Sequence, residues 1–283
     1  LACFVGASVG RQISPRARVL SMLRGAHAAA RVARVARCAL TRSVGSAAFH
    51  ASSLCASPSA GAGDSSAEVL VHRMHSLGGD DEGIIVISLN RAHARNAIGK
   101  QLLSELRDSL SAFEAAPGAR CLVIRSLCPG VFSAGADLKE RRMMGEAEAR
   151  GFVDSLRSAF STLEALPMPT IAAIEGAALG GGMELALACD LRIGERSSRF
   201  ALPETGLGII PGAGGTQRLP RLIGHSAAKE MVFTGRSVGG EEAARLGLLN
   251  ECAPEGEAMG RAMEVAHSIA RRAPVAQRMA KAA

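Results

Sequence analysis

The chain has 283 residues, of which 48% are hydrophobic, and a formal net charge of +7. That length allows one large domain or two small ones, and the apolar content is ample for a packed core. The charge alone would suggest a nucleic-acid partner, but its placement excludes that reading for the body of the chain. Residues 1–63 hold eight arginines (Arg11, Arg16, Arg18, Arg24, Arg31, Arg34, Arg37 and Arg42), no lysine and no acid, the first acid being Asp64. Without those eight charges the remainder carries a net charge of −1.

The first segment is rich in Arg, Ala and Ser, and Arg31, Arg34 and Arg37 alternate with Val32, Val35 and Cys38 at amphipathic-helix spacing. This is the composition of a mitochondrial transit peptide, and no continuous apolar run of a secretory signal accompanies it. Residues 1–65 are therefore expected to be a transit peptide and linker, disordered and outside the folded domain, with Met22 a plausible start. Residues 66–283 form the expected domain. The seven cysteines show no Cys-x-x-Cys pair and no metal spacing, so reduced, mostly buried thiols are expected. Cys128, in a Cys-Pro-Gly turn, is the one placed near the surface.

Within the domain the pattern alternates. The β-branched run Gly83–Leu89 predicts a strand, and Leu102, Leu103, Leu106, Leu110 and Phe113 recur at helical spacing over Lys100–Phe113. Cys121–Ile124 predicts a second buried strand, and Gly145–Ala165 a helix stopped by Leu166-Pro167-Met168-Pro169. A strand over Thr170–Ile174, a Gly-rich turn and a helix over Met183–Ala188 follow. Alternation of this kind argues for α/β architecture built from βαβ units. The apolar stretch Ile171–Cys189 is long enough to span a membrane, but Glu175, Glu184 and four glycines within it argue for a buried strand–turn–helix.

Two Gly-rich stretches carry possible chemistry. Phe132-Ser-Ala-Gly-Ala-Asp-Leu-Lys-Glu140 is either an ordinary tight turn or a place where backbone N–H groups approach an anion. Gly180-Gly181-Gly182-Met183-Glu184 puts three glycines at a helix N-terminus, where free N–H groups favour a developing oxyanion. Neither is a nucleotide fingerprint, and Gly212–Gln217 fails the dinucleotide pattern at Gln217. Glu184 is the sole charge before Asp190 on a helix built for burial, so it needs a partner or a purpose. Glu204, in a loop before another Gly-rich turn, is unremarkable by itself.

Three blocks, Phe132–Glu140, Ile174–Asp190 and Pro203–Arg218, resemble in order and spacing the signature blocks of the crotonase (enoyl-CoA hydratase/isomerase) superfamily. Asn90-Arg91 with Asn96-Ala97 is similar to the family's first CoA-contacting loop, and the resemblance spans Val69–Ala283. The run Ala136-Asp-Leu-Lys-Glu-Arg141 is similar to that of the family's mitochondrial members. The resemblance implies a ββα superhelix and an enzyme of the mitochondrial matrix that adds water across the 2,3-double bond of an enoyl-CoA thioester. It implies Glu184 and Glu204 as the catalytic carboxylates and the N–H groups of Ala136 and Gly181 as the oxyanion hole. Ala94, Arg95, Ala134, Asp137, Leu138, Lys139 and Gly212 would contact substrate and CoA. No metal and no cofactor are implied, since CoA belongs to the substrate.

Retention of both glutamates favours hydration over isomerisation, while hydrolase and decarboxylase relatives share the oxyanion hole. RNA binding is disfavoured because the charges of Lys100–Arg120 balance. The family's C-terminal helices, which continue beyond the point matching Ala283, are expected to be missing. The homotrimer or hexamer typical of the family is accordingly expected to form poorly, and a catalytically silent chain stays an alternative. Pocket walls are expected from Met143, Met144, Phe152 and Val153. A substrate with a distal carboxylate would need a cation, but Arg141 and Arg142 read as solvated.

Overall fold

A computed structural model describes residues 66–73, 83–114, 116 and 118–283; the transit-peptide and linker reading of residues 1–65 lies outside them. The strands are β1 (Val69–Arg73), β2 (Ile84–Leu89), β3 (Cys121–Ser126), β4 (Val131–Ser133), β5 (Thr170–Ile174), β6 (Ala177–Leu179), β7 (Leu191–Glu195), β8 (Arg199–Ala201), β9 (Val238–Gly239) and β10 (Glu251–Ala253). The helices are α1 (Lys100–Glu114), α2 (Leu138–Arg142), α3 (Glu146–Ala165), α4 (Gly181–Leu187), α5 (Gly215–Ile223), α6 (His225–Thr234), α7 (Gly240–Leu246), α8 (Ala258–Ala270) and α9 (Pro274–Ala282).

The larger sheet has the order β1-β2-β3-β5-β7-β10, antiparallel at β1–β2 and parallel elsewhere. The smaller has the order β4-β6-β8-β9, parallel except at β8–β9. The chain deals strands alternately to the two sheets: β3 is followed by β4, β5 by β6, and β7 by β8. Each of the first two pairs then leads to a helix, so successive turns stack as a ββα spiral.

Burial explains the continuous apolar runs. All six residues of β2 are buried, because helices cover both faces of a parallel sheet. On one side the predicted face of α1 (Leu102, Leu103, Leu106, Leu110 and Phe113) packs into the main core with α3 and α4. On the other, Ala258, Ala262, Ala266 and Ala270 recur every fourth residue on α8 and pack on Ile84, Val86, Val123 and Ile171. Small side chains on that stripe let α8 lie close to the sheet.

The stretch Ile171–Cys189 divides into β5, β6 and α4 as the glycines and glutamates suggested, and no helix among the described residues is long and apolar enough to cross a membrane. One local expectation is corrected. Cys128 is buried, its thiol turned toward the Ala92 carbonyl, because the turn folds back under the loop after β2. The helix expected over Gly145–Ala165 is α3 (Glu146–Ala165, capped by Gly145), preceded by the separate short helix α2, which ends at Met143.

Candidate active site

The two Gly-rich stretches meet at the edge of the smaller sheet. Gly135 adopts φ +93°, and a Cβ there would stand 2.7 Å from the Leu179 carbonyl oxygen and 3.2 Å from the Gly181 nitrogen. Only glycine lets the two loops approach so closely. Gly180 caps α4 at φ +49°, where a Cβ would lie 2.9 Å from Glu204 Oε1. Gly182 fills a third tight position, its missing Cβ 2.5 Å from the Ser133 carbonyl oxygen. Two of the three consecutive glycines, Gly180 and Gly182, thus reflect separate close approaches, and Gly135 a third.

The backbone around this junction leaves two donors over. Ile98 N–H donates to the Gly135 carbonyl and Asp137 N–H to the Ile98 carbonyl, which straddles Ala136 without using its N–H. Gly181 is the first residue of α4, so its N–H has no partner within the helix. Neither N–H finds an acceptor among the described residues. Both border one cavity of about 590 Å³. An oxyanion held there would receive two hydrogen bonds and the positive end of α4.

Glu184 and Glu204 line the same cavity. Glu184, 3% exposed, sits in the first turn of α4 and accepts through Oε1 from the N–H groups of Ala213 (2.9 Å) and Gly215 (2.8 Å). Burial pushes its carboxyl above the usual range, while those two donors and the Arg218 and Arg157 guanidiniums pull it back down. Glu204, 8% exposed, lies on a 3₁₀ turn over Pro203–Leu207, and its Oε2 is buried with no hydrogen-bond partner. Burial raises its carboxyl to about 7, and the Glu184 charge adds to the rise. The pair is therefore asymmetric: Glu184 is braced by two backbone donors, whereas Glu204, with no partner on Oε2 and its carboxyl raised to about 7, divides between protonated and ionised forms at neutral pH.

Known proteins now bear on this arrangement. A model of the enoyl-CoA hydratase/isomerase family matches residues 79–283. The chain belongs to that family. It is 54% identical over 211 residues to the probable mitochondrial enoyl-CoA hydratase 2 of Arabidopsis thaliana, covering 75% of this chain and 70% of the relative. It is 47% identical over 215 residues to the mitochondrial methylglutaconyl-CoA hydratase of Mus musculus, covering 75% and 68%. Among solved structures, an enoyl-CoA hydratase from Bacillus anthracis superposes with a TM-score of 0.72 at 42% identity, covering 76% of this chain and 81% of that one. The fold is that of the crotonases, and the protein is an enzyme of the hydro-lyase type.

Seven of the family-implied residues border the cavity: Ala134, Ala136, Leu138, Gly181, Glu184, Glu204 and Gly212. Ala94, Arg95, Asp137 and Lys139 do not. The Asp137 carboxylate caps α2 by accepting from Lys139 N–H and Glu140 N–H, and it pairs with Arg91 at 2.6 Å. Arg91 also reaches Glu140 at 3.2 Å and lies 2.7 Å from Glu68, so one guanidinium gathers three carboxylates behind the Ala136 loop. Arg95 is exposed at φ +52°, and its carbonyl accepts from Ala134 N–H.

Of the expected pocket walls, Val153 borders the cavity. Phe152 belongs to the core, Met144 packs against it, and Met143 is 86% exposed because it ends α2 on the solvent side. Arg142 is exposed as read, but Arg141 is half-buried and lines the cavity. Leu156, Arg157 and Leu207–Ile210 also line the cavity, beyond the walls expected from the sequence. Leu156 carries the helical apolar signal of α3, while the 207–210 loop has no periodicity to betray it.

Proposed function

We propose that this protein adds water across the 2,3-double bond of a 2-enoyl-CoA thioester in the mitochondrial matrix, within fatty-acid or branched-chain amino-acid breakdown. The observation that carries the reading is the asymmetric Glu184–Glu204 pair on the cavity that also receives the Ala136 and Gly181 N–H groups. The relatives named mitochondrial, together with the Arg-rich, acid-free first 63 residues, support the compartment.

In this mechanism the thioester carbonyl oxygen accepts from Ala136 N–H and Gly181 N–H. Negative charge gathers on that oxygen as water attacks the β-carbon, and the two donors lower the barrier, each worth about 2.7–4 kcal/mol where such a donor has been removed. Glu184, held by Ala213 and Gly215, orients the water and takes its proton. Glu204 delivers its proton to the α-carbon, for which a carboxyl near 7 suits neutral pH. Ala134, Leu138 and Gly212 border the path of the acyl-pantetheine portion. No cofactor is needed, because CoA arrives with the substrate.

The test is hydration of crotonyl-CoA and 3-methylglutaconyl-CoA by the wild type and by Glu184→Gln and Glu204→Gln. Each variant is expected to lose on the order of 10³-fold or more in kcat, the two carboxyls acting as a unit. Undiminished turnover in either variant would overturn the mechanism.

A further inference from the structure

Glu184 is held by a turn that is itself held. Its two donors, the N–H groups of Ala213 and Gly215, belong to the stretch Gly212–Gly215, and both bonds fall on Oε1. Oε2 accepts from no group among the described residues. Two arginines grip the same stretch through its carbonyls. Arg157 Nε donates at 3.2 Å to the Gly212 oxygen, which shares a peptide unit with the Ala213 N–H that serves Glu184. Arg218 Nη1 donates at 2.9 Å to the next carbonyl, that of Ala213. A donor on a peptide oxygen polarises the unit and strengthens the bond its N–H makes.

The two arginines are not equivalent. The Arg157 side chain is 56% exposed and that of Arg218 only 9%, so water screens the first far more than the second. A Cβ on Gly214 would stand 2.1 Å from Arg218 Nη1, so the turn closes on the guanidinium only because residue 214 is glycine. The rest of the Arg218 fork goes to α3, where Nε and Nη2 donate to Glu164 Oε2 at 3.1 and 2.7 Å. Arg157 and Glu164 lie seven residues apart on α3, which puts them on one face about two turns apart. One helix thus anchors the turn at two points. Neither Arg218 nor Glu164 borders the cavity. Burial raises the Glu184 carboxyl, and the two N–H groups, then Arg218 and Arg157, lower it; Glu204 is the acid across the cavity.

We propose that Arg218 is the positioning residue of Glu184. Anchored on Glu164, it fixes the Ala213–Gly215 turn so that two N–H groups occupy Oε1 and Oε2 is left to take the proton of water. The role in turnover rests on reading the cavity as a hydratase site.

Arg218→Met, Arg218→Lys and Glu164→Ala, each in the full chain, test this by two measurements. One is steady-state hydration of crotonyl-CoA; the other is a carbon-13 NMR titration of the Glu184 carboxyl, assigned by its absence in Glu184→Gln. Arg218→Met is expected to lose about 10- to 100-fold in kcat with KM within about threefold, and its Glu184 to titrate at higher pH than in the wild type. Arg218→Lys keeps the charge but not the fork, so the titration should return toward that of the wild type while kcat recovers only in part. Glu164 is half-exposed, so Glu164→Ala removes the anchor without opening the core, and kcat should fall about threefold or more at unchanged KM. A purely structural role would lower stability alone. Either an unmoved kcat or an unmoved titration in Arg218→Met would therefore overturn the proposal. So would wild-type kcat in Glu164→Ala, which decides the matter even where Arg218→Met does not fold. A wild type that hydrates no enoyl-CoA, with the Glu184 titration still moved by Arg218→Met, would refute the hydratase reading and leave the positioning of Glu184 standing.

Discussion

Glu184, from the first turn of α4, accepts the N–H of Gly215 at 2.8 Å, where Gly215 is the first residue of α5. One carboxylate therefore serves as cap for a second helix as well as candidate base. Gly214 before it, at φ +111°, brings no capping side chain of its own. A Cβ on Gly215 would stand 3.0 Å from Glu184 Oε1, so the pair admits no larger residue without displacing the carboxylate.

The dual role separates two substitutions. Glu184→Ala leaves the buried N–H groups of Ala213 and Gly215 without an acceptor and is expected to cost about 1–3 kcal/mol of stability. Glu184→Gln keeps an oxygen acceptor and should cost less than half as much, while both variants lose hydration. Urea unfolding of the two proteins measures the difference. Equal stability of Glu184→Ala and the wild type would refute the capping role.

Glu204 sets a pH dependence of stability. Its folded carboxyl sits near 7, against an ordinary value of 4.5. Below the ordinary value both folded and unfolded chains hold the proton, so the full stability is present. Between the two values the unfolded chain releases the proton and the folded one keeps it, so stability falls as pH rises and the loss is complete above about 7. Glu204→Gln removes this loss. Its stability relative to the wild type should grow between pH 5 and pH 8, by up to about 3 kcal/mol. Thermal melts at the two pH values check the sign, and a flat difference would contradict it.

Gly135→Ala probes the oxyanion site without touching either glutamate. The new methyl would press on the Leu179 carbonyl oxygen and the Gly181 nitrogen from a left-handed backbone position. Spreading the two loops is expected to lower kcat by about 10²-fold, since an N–H aimed at the developing charge acts in the transition state. KM should change far less. Steady-state kinetics separates the two, and a kcat within a factor of about two of wild type would tell against the assignment.

Arg91→Met tests whether the ion cluster supports the fold at the site. Its loss strands Glu68 and Asp137, both buried, and the expected cost is about 3–5 kcal/mol, as when one partner of a buried pair is removed. Arg91→Lys restores the charge but not the forked geometry that spans three carboxylates, so it should recover only part of that loss. Chemical denaturation of the two variants and the wild type measures it.

Much of the fold was legible along the chain. The apolar runs of β2, β3 and β5 are buried on both faces, and a buried strand cannot hide that signal. The stripe of α1 fell on the residues that enter the core, because helical period alone decides which face is dry. Glu184 was conspicuous for a similar reason, as a charge in a segment otherwise built for burial.

What the sequence by itself determined, then, is local: which segments are strand or helix, which faces are buried, and which family the Gly-rich blocks resemble. Tertiary structure alone decided what those blocks meet. It brought Glu204, an ordinary loop acid, to the cavity of Glu184, where burial raised its carboxyl. It turned Asp137 away from that cavity to cap α2 and pair with Arg91, and turned Arg141 in toward it. The physical reason is that loop side chains carry no periodicity. Their direction and solvation are set by partners distant in the chain, and those appear only when the spiral closes.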